Sequence, residues 1–381
     1  MTISSDNKMK KTEVIKCETL GKLPELLAFN DGRPVRTPVD WEERRSELFK
    51  TAVELQYGEL PPKPEEMTVR CLYAGGPGKA NSYRVTVSSN GYSFGFLLKL
   101  FLPMGAAKPP VIVNGDLCFN YLFDKSVISS FLNNNIALAV FDRTEIADDK
   151  EKNPVRTGCI YNMFPDKKFG SIAAWAWGYS RCVDALEKIE LTDKEKIIFS
   201  GHSRGGKTSM LAGITDRRAA IIHANETNAG SCSCYRIHLT AKDEYGEIGR
   251  SETLKDMTEN FPTWLSDDMK EYADKEKELP FDCHFLKALA APRTLLISEA
   301  ASDIWGNPVG SIITSKEAQK AYELLNAENE LLWYVRSGRH GFNSEDAEQL
   351  LNVIQHKWYG INLNDRFFKS PFLIIAEERF F

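Results

Sequence analysis

Apolar residues follow two rhythms along this chain, and the rhythm changes near residue 110. Before that point, residues 67–73, 83–88 and 93–102 form alternating or β-rich runs. Gly75-Gly76-Pro77-Gly78 and Asn90-Gly91 divide them. Short runs of this kind separated by turn residues predict an antiparallel meander. Further upstream, residues 41–56 place apolar side chains at helical spacing, and Gly58, Pro61 and Pro62 stop that helix. Residues 1–60 are otherwise polar and read as an N-terminal helical extension.

Beyond residue 110, short solid apolar runs alternate with helix-length segments. Strands are predicted at 111–113, 136–142, 196–200, 219–224, 293–299 and 331–336. Helices are predicted at 173–189, 207–215, 315–325 and 344–358. Strands alternating with helices imply βαβ units. The expected fold is α/β, with a mainly parallel sheet between two helix layers, over residues 61–360. Residues 240–290 are charged and lack strong strand patterning. They read as an insertion over the C-terminal edge of the sheet, where such folds bind ligands. The tail, residues 361–381, carries Phe367, Phe368, Phe372, Phe380 and Phe381. It is expected to pack back on the body. An oligomer contact is the other use of an exposed apolar patch.

The 381 residues are 43% apolar and 27% charged, which excludes a disordered chain. A net charge of −5 argues against nucleic-acid partners, which select strongly basic faces. Apolar runs such as residues 136–141 are far shorter than the ~20 residues of a membrane-spanning helix. The start, MTISSDNKMKKTEVIK, has lysines without an apolar stretch after them, so it does not read as a secretory signal. Eight scattered cysteines show no CxxC spacing, and Cys232 and Cys234 read as small residues in a turn. Together these features predict a cytoplasmic protein with reduced thiols and no membrane contact; a secreted protein read without its leader would show the same features.

The sharpest chemical signal is Gly201-His202-Ser203-Arg204-Gly205, which fits G-x-S-x-G between a predicted strand and a predicted helix. A nucleophilic serine needs this spacing. The strained turn exposes its hydroxyl at a helix N-terminus, and the glycines let neighbouring backbone approach. The helix end favours a developing oxyanion. Such a serine requires a base. Of six histidines, His202 sits beside the nucleophile and is expected to point elsewhere. His223 lies in a strand, His238 and His284 lie around the insertion, and His356 lies in the last helix. His340 follows the last predicted strand on a loop, where a hydrolase of this type keeps its base. Two residues compete to be the acid that orients it. Asp303 follows the strand at 293–299, and Glu226 follows the strand at 219–224.

These residues resemble the glucuronoyl esterases, carbohydrate esterase family 15, whose elbow reads G-x-S-R-x-G-K. Gly201-His202-Ser203-Arg204-Gly205-Gly206-Lys207 matches it, and Glu226 lies 23 residues after Ser203, as that family's acid does. Ser251-Glu252-Thr253-Leu254 is similar to a G-E-T-V segment, and Asp303-Ile304-Trp305-Gly306-Asn307-Pro308 to a D-x-W-x-D-P stretch. The resemblance covers about residues 40–360. It implies a three-layer α/β-hydrolase that cleaves esters of glucuronic or 4-O-methylglucuronic acid on xylan. By the same resemblance Ser203 is the nucleophile, His340 the base, and Glu226 or Asp303 the acid. Arg204 assists the oxyanion hole, while Lys207, Glu252 and Trp305 hold the sugar. The chain departs from the family after Glu226, where it reads Thr227-Asn228-Ala229-Gly230-Ser231, and at Asn307, where an Asp is frequent.

The expected reaction is two-step acyl transfer without a metal or organic cofactor. The alternatives are an acetyl-xylan or cephalosporin-type deacetylase, a general carboxylesterase, and a hydrolase-fold binding protein without turnover. A peptidase fits less well, because no long lid or propeller-like domain is visible.

Overall fold

The computed structural model describes residues 12–105 and 107–372. The first described element is strand β1 (Glu13–Thr19). Helix α1 (Pro38–Leu48) follows, started by a capping box between Thr37 and Asp40 with Pro38 in its first turn. It continues through a π-helical stretch, Phe49–Glu54, into a single turn, α2 (Leu55–Tyr57), and stops at Gly58 with φ 82°. Residues 1–60 were expected to be helical, so β1 is a difference from the sequence reading. Its local pattern is polar, and the strand exists because it pairs antiparallel with β9 (Ile237–Lys242), more than 200 residues away.

Strands β2 (Glu66–Tyr73), β3 (Ala80–Ser89) and β4 (Tyr92–Phe101) form the predicted meander, with Asn90 and Gly91 both at positive φ in the second turn. β4 joins the main sheet antiparallel to β6 (Ala137–Phe141), reached from β5 (Val111–Asn114) through α3 (Lys125–Leu132). After α4 (Cys159–Met163) and α5 (Ser171–Ile189) come β7 (Ile197–His202), α6 (Arg204–Thr215) and β8 (Ala219–Asn225). Then follow β9, β10 (Ile248–Arg250), α7 (Leu254–Asn260) and α8 (Cys283–Leu289). The chain closes with β11 (Thr294–Ala300), α9 (Pro308–Leu324), β12 (Leu331–Arg336) and α10 (Ser344–Tyr359).

Nine strands make the main sheet in the order β12-β11-β8-β7-β5-β6-β4-β3-β2, and all pairs from β6 to β12 are parallel. Its central strands are buried on both faces, which explains their unbroken apolar runs. Alternation along each strand still sorts the side chains. Val111, Val113, Ile197 and Phe199 face the larger core with α5, α6, α8 and α9, whereas Ile112 and Ile198 face α3 and α10. The result is a three-layer α/β sandwich.

The 240–290 region does not lack strands at its start. β9 and β10 form a hairpin, and with β1 they make a separate three-stranded sheet. α9 begins at Pro308, seven residues before the predicted start, because Asn307 caps it and Pro308 occupies its first turn. The Gly and β-branched residues of 308–314 hid that turn. In the tail, Phe367 and Phe372 are buried against the body and the ring of Phe368 meets Trp333 edge-on. Phe380 and Phe381 lie outside the described residues. Among the described residues no helix is long and apolar enough to cross a membrane.

Candidate active site

β7 delivers the chain to Ser203, which adopts φ 59° and ψ −123° before α6 begins. A non-glycine residue takes that conformation only when its surroundings enforce it. Here Ser203 N donates to the Asn225 carbonyl at 2.8 Å, pinning the turn to β8. A Cβ at Gly201 would overlap the Gly205 carbonyl, and one at Gly205 would overlap the Asp116 carboxylate. The two glycines therefore let strand, helix and Asp116 meet at one point. Asp116 is fully buried. Its carboxylate accepts from His202 N at 2.8 Å, from Tyr121 Oη at 2.6 Å and from the Arg143 guanidinium. The sequence reading ended a strand at residue 113 and did not single out Asp116, which braces the elbow.

His340 lies on the loop after β12, and that loop is wrapped around a guanidinium. Arg336 donates to the carbonyls of Ser337 at 3.0 Å, Arg339 at 3.2 Å and Gly341 at 2.6 Å. Both candidate acids reach His340 Nδ1. Asp303 Oδ2 lies 2.7 Å from it, and Glu226 Oε2 lies at 3.3 Å. Asp303 is the closer, and its other oxygen accepts from Gly306 N at 3.1 Å. Glu226 has stronger ties elsewhere. Its carboxylate accepts from Arg336 Nη2 and, at 2.6 Å, from Gly341 N. Burial pushes the Glu226 carboxyl well above its ordinary range, Arg336 opposes that shift, and the nearby Asp303 adds to it. With Nδ1 held by carboxylates, Nε2 is on the open edge of a ring whose side chain is 38% exposed. Ser203 Oγ makes no hydrogen bond among the described residues. Such contacts commonly close only when substrate binds.

The residues expected to hold a sugar are brought together. Lys207, buried on α6, donates to the Ala229 carbonyl and pairs with Glu252 at 3.5 Å. Glu252 N donates to the Trp305 carbonyl at 3.0 Å, and the Trp305 ring is partly exposed beneath Arg250. Burial lowers the Lys207 ammonium and raises the Glu252 carboxyl, while each opposes the shift of the other. Arg204, next to Ser203, lies 4.8 Å above the rings of both Phe261 and Trp264 and donates to Asp149 at 3.1 Å.

One placement corrects the sequence reading. His202 does not point away: its ring centroid lies 4.6 Å from that of His340. Edge contacts with Phe119, Tyr121 and Phe342 surround its ring there. His202, Glu226 and His340 offer possible metal-ligand atoms within 4.8 Å of one another. In this chain several groups of that cluster serve hydrogen bonds: His202 Nδ1 to Asn225, Glu226 to Arg336 and Gly341, and His340 Nδ1 to Asp303. Two other histidines serve the framework. His223 bridges Ser200 and Ser298, and His284 bonds the Pro24 carbonyl.

Comparison with known proteins finds similarity to esterases. The family model described as "Glucuronyl esterase, fungi" matches residues 85–326. A 4-O-methyl-glucuronoyl methylesterase of Schizophyllum commune is 28% identical over 356 residues, covering 91% of this chain and 85% of that protein. A carbohydrate esterase family 15 glucuronoyl esterase of Caldicellulosiruptor kristjansonii superposes with a TM-score of 0.82 at 29% identity, covering 93% of this chain and 95% of that one. A serine-to-alanine mutant of the Sporotrichum thermophile glucuronoyl esterase, solved in complex with methyl 4-O-methyl-β-D-glucopyranuronate, superposes with a TM-score of 0.74 at 25% identity. It covers 96% of this chain and 93% of that one.

Proposed function

This chain belongs to the glucuronyl esterase family, and we propose that it cleaves the ester between a 4-O-methylglucuronic acid unit and an alcohol by way of a Ser203 acyl-enzyme. It is a carboxylic ester hydrolase. The observation that carries the residue assignment is the 2.7 Å contact of Asp303 with His340 Nδ1, on a loop packed against the Ser203 elbow.

His340 Nε2 takes the Ser203 proton as Oγ attacks the ester carbonyl carbon. The carbonyl electrons move onto oxygen, where the first amides of α6 and the charge of Arg204 stabilise them. The C–O bond to the alcohol breaks, and the imidazolium returns its proton to that oxygen. Water repeats the sequence and releases the free uronic acid and Ser203. The net change is ester plus water to acid plus alcohol. Asp303 keeps the imidazole in the Nδ1–H tautomer and balances the charge that it gains twice per cycle. Lys207 and Glu252 suit sugar hydroxyls, and Trp305 offers an apolar face to the pyranose ring. The proposed source of the ester is the uronate side group of xylan.

A substrate panel tests the reading. Methyl 4-O-methylglucuronate should be turned over with a higher kcat/KM than p-nitrophenyl acetate. A clear preference for acetate would replace this reading with a deacetylase. Absence of both turnover and fluorophosphonate labelling would replace it with a binding protein.

A further inference from the structure

His202 is invisible to the mechanism above, yet the structure holds it with unusual completeness. Its ring lies at the end of β7, nearly fully buried, edge-on to Tyr121 at 5.7 Å and tilted 39° from the His340 ring at 4.6 Å. The tautomer follows from its neighbours. Asn225 Nδ2 donates to Asp346 Oδ1 at 3.1 Å, so Asn225 Oδ1 faces His202 and accepts from Nδ1 at 2.5 Å. His202 therefore carries its proton on Nδ1 and a lone pair on Nε2.

The tether does not end at Asn225. Asp346 Oδ2 accepts from Arg336 Nε at 3.0 Å, and Arg336 Nη2 donates to Glu226, whose other oxygen lies 3.3 Å from His340 Nδ1. A buried chain of polar contacts thus leaves His202, passes through Asn225, Asp346, Arg336 and Glu226, and returns at His340. The two imidazoles sit at its two ends and touch each other. Both ends of the chain fix one object, the orientation of the His340 ring.

We propose that His202 is a positioning residue for His340, supplying a fixed, uncharged ring face against which the base is held and against which its imidazolium forms. The proposal rests on the reading of His340 as the base. A neutral aromatic face attracts a cation, whereas a second imidazolium there would repel it. His202 remains neutral for reasons built into its surroundings: burial holds its basicity well below that of free histidine, and the charges of His340, Arg336 and Arg143 add to the effect. The other groups facing His340 are Asp303 and Glu226 at Nδ1. The charge of Arg339 is spent on Asp243 and Glu247.

Two variants separate positioning from mere packing. His202→Gln removes the ring and keeps an amide for Asn225, while His202→Phe keeps the ring face and loses the tether. With methyl 4-O-methylglucuronate, His202→Gln should lower kcat about tenfold to a hundredfold, as misplacement of a catalytic group does. KM should remain near wild type, and the acid limb of the kcat/KM profile should move to lower pH, because the neutral ring face that attracts the His340 imidazolium is gone. His202→Phe should recover part of kcat and return the limb toward wild type. Both variants folded with wild-type kcat and an unmoved limb would overturn the proposal, as would a kcat loss in His202→Phe as large as in His202→Gln. Ser203→Ala and His340→Ala, assayed alongside, report the underlying reading separately. Turnover surviving in those two removes the base assignment itself.

Discussion

Asp303 Oδ2 lies 2.7 Å from Nδ1 of His340, closer than the 3.3 Å of Glu226 Oε2 to the same nitrogen. The second carboxylate also carries a different load, since Arg336 and Gly341 N occupy its oxygens. Replacing each acid should therefore have a different signature. Asp303→Asn should lower kcat about 10³–10⁴-fold with little change in melting temperature, as removing the orienting acid of a triad does. Glu226→Gln should lower kcat less and stability more, because a broken buried ion pair costs about 3–5 kcal/mol. Steady-state kinetics and thermal melts on both variants decide this, and the reverse order would make Glu226 the acid.

The elbow is built on close approach. Gly205→Ala should destabilise the protein by at least about 2 kcal/mol through overpacking against Asp116. It should also lower kcat, since Asp116 holds the backbone N–H of His202, next to Ser203. Urea unfolding and kinetics on one sample measure both. A stable variant with full activity would show that this glycine is dispensable.

Lys207 and Glu252 neutralise one another inside the protein. Lys207→Met should strand the Glu252 carboxylate and cost about 3–5 kcal/mol, and adding Glu252→Met should recover part of that loss. Both variants should raise KM for the uronate ester and leave KM for p-nitrophenyl acetate unchanged. An equal rise for the two esters would take sugar recognition away from this pair.

Glu299, at the end of β11, is buried, and neither of its oxygens meets hydrogen-bond geometry with a partner. Burial pushes its carboxyl up to about 8, against the pull of Ser311, Lys287 and Lys207. In the unfolded chain the group ionises near its ordinary value of about 4.3. Between those pH values the native state holds one proton more than the unfolded state, so this group's contribution to stability falls as pH rises. The slope is about 1.4 kcal/mol per pH unit for a single group. Glu299→Gln should remove it, leaving the variant the more stable of the two at pH 8 and the advantage small near pH 4.5. Denaturant midpoints of both proteins across that range check the sign, and parallel curves would contradict it.

The legible parts of this protein are those with local signatures. Solid apolar runs marked the parallel strands, and the strand–GHSRG–helix context marked Ser203. Order along the chain singled out His340. What stayed hidden depends on pairing across long separations. β1 is a strand only because β9 lies beside it. Arg336 joins Glu226, 110 residues upstream, to Asp346, and no spacing rule links such positions. Asp346 could be read as the third residue of an N-capped helix after Asn343, but its second task, holding Asn225 and Tyr334, exists only in the folded core. His202 was misplaced for the same reason. Its neighbour along the chain is Ser203, while its neighbour in space is His340.

The most direct measurement is hydrolysis of methyl 4-O-methylglucuronate by the Ser203→Ala variant beside wild type, with a melt on each to establish folding. The account predicts a fall in kcat of about 10⁴–10⁶-fold at an unchanged melting temperature. A folded Ser203→Ala protein that hydrolyses the ester at the wild-type rate would contradict it.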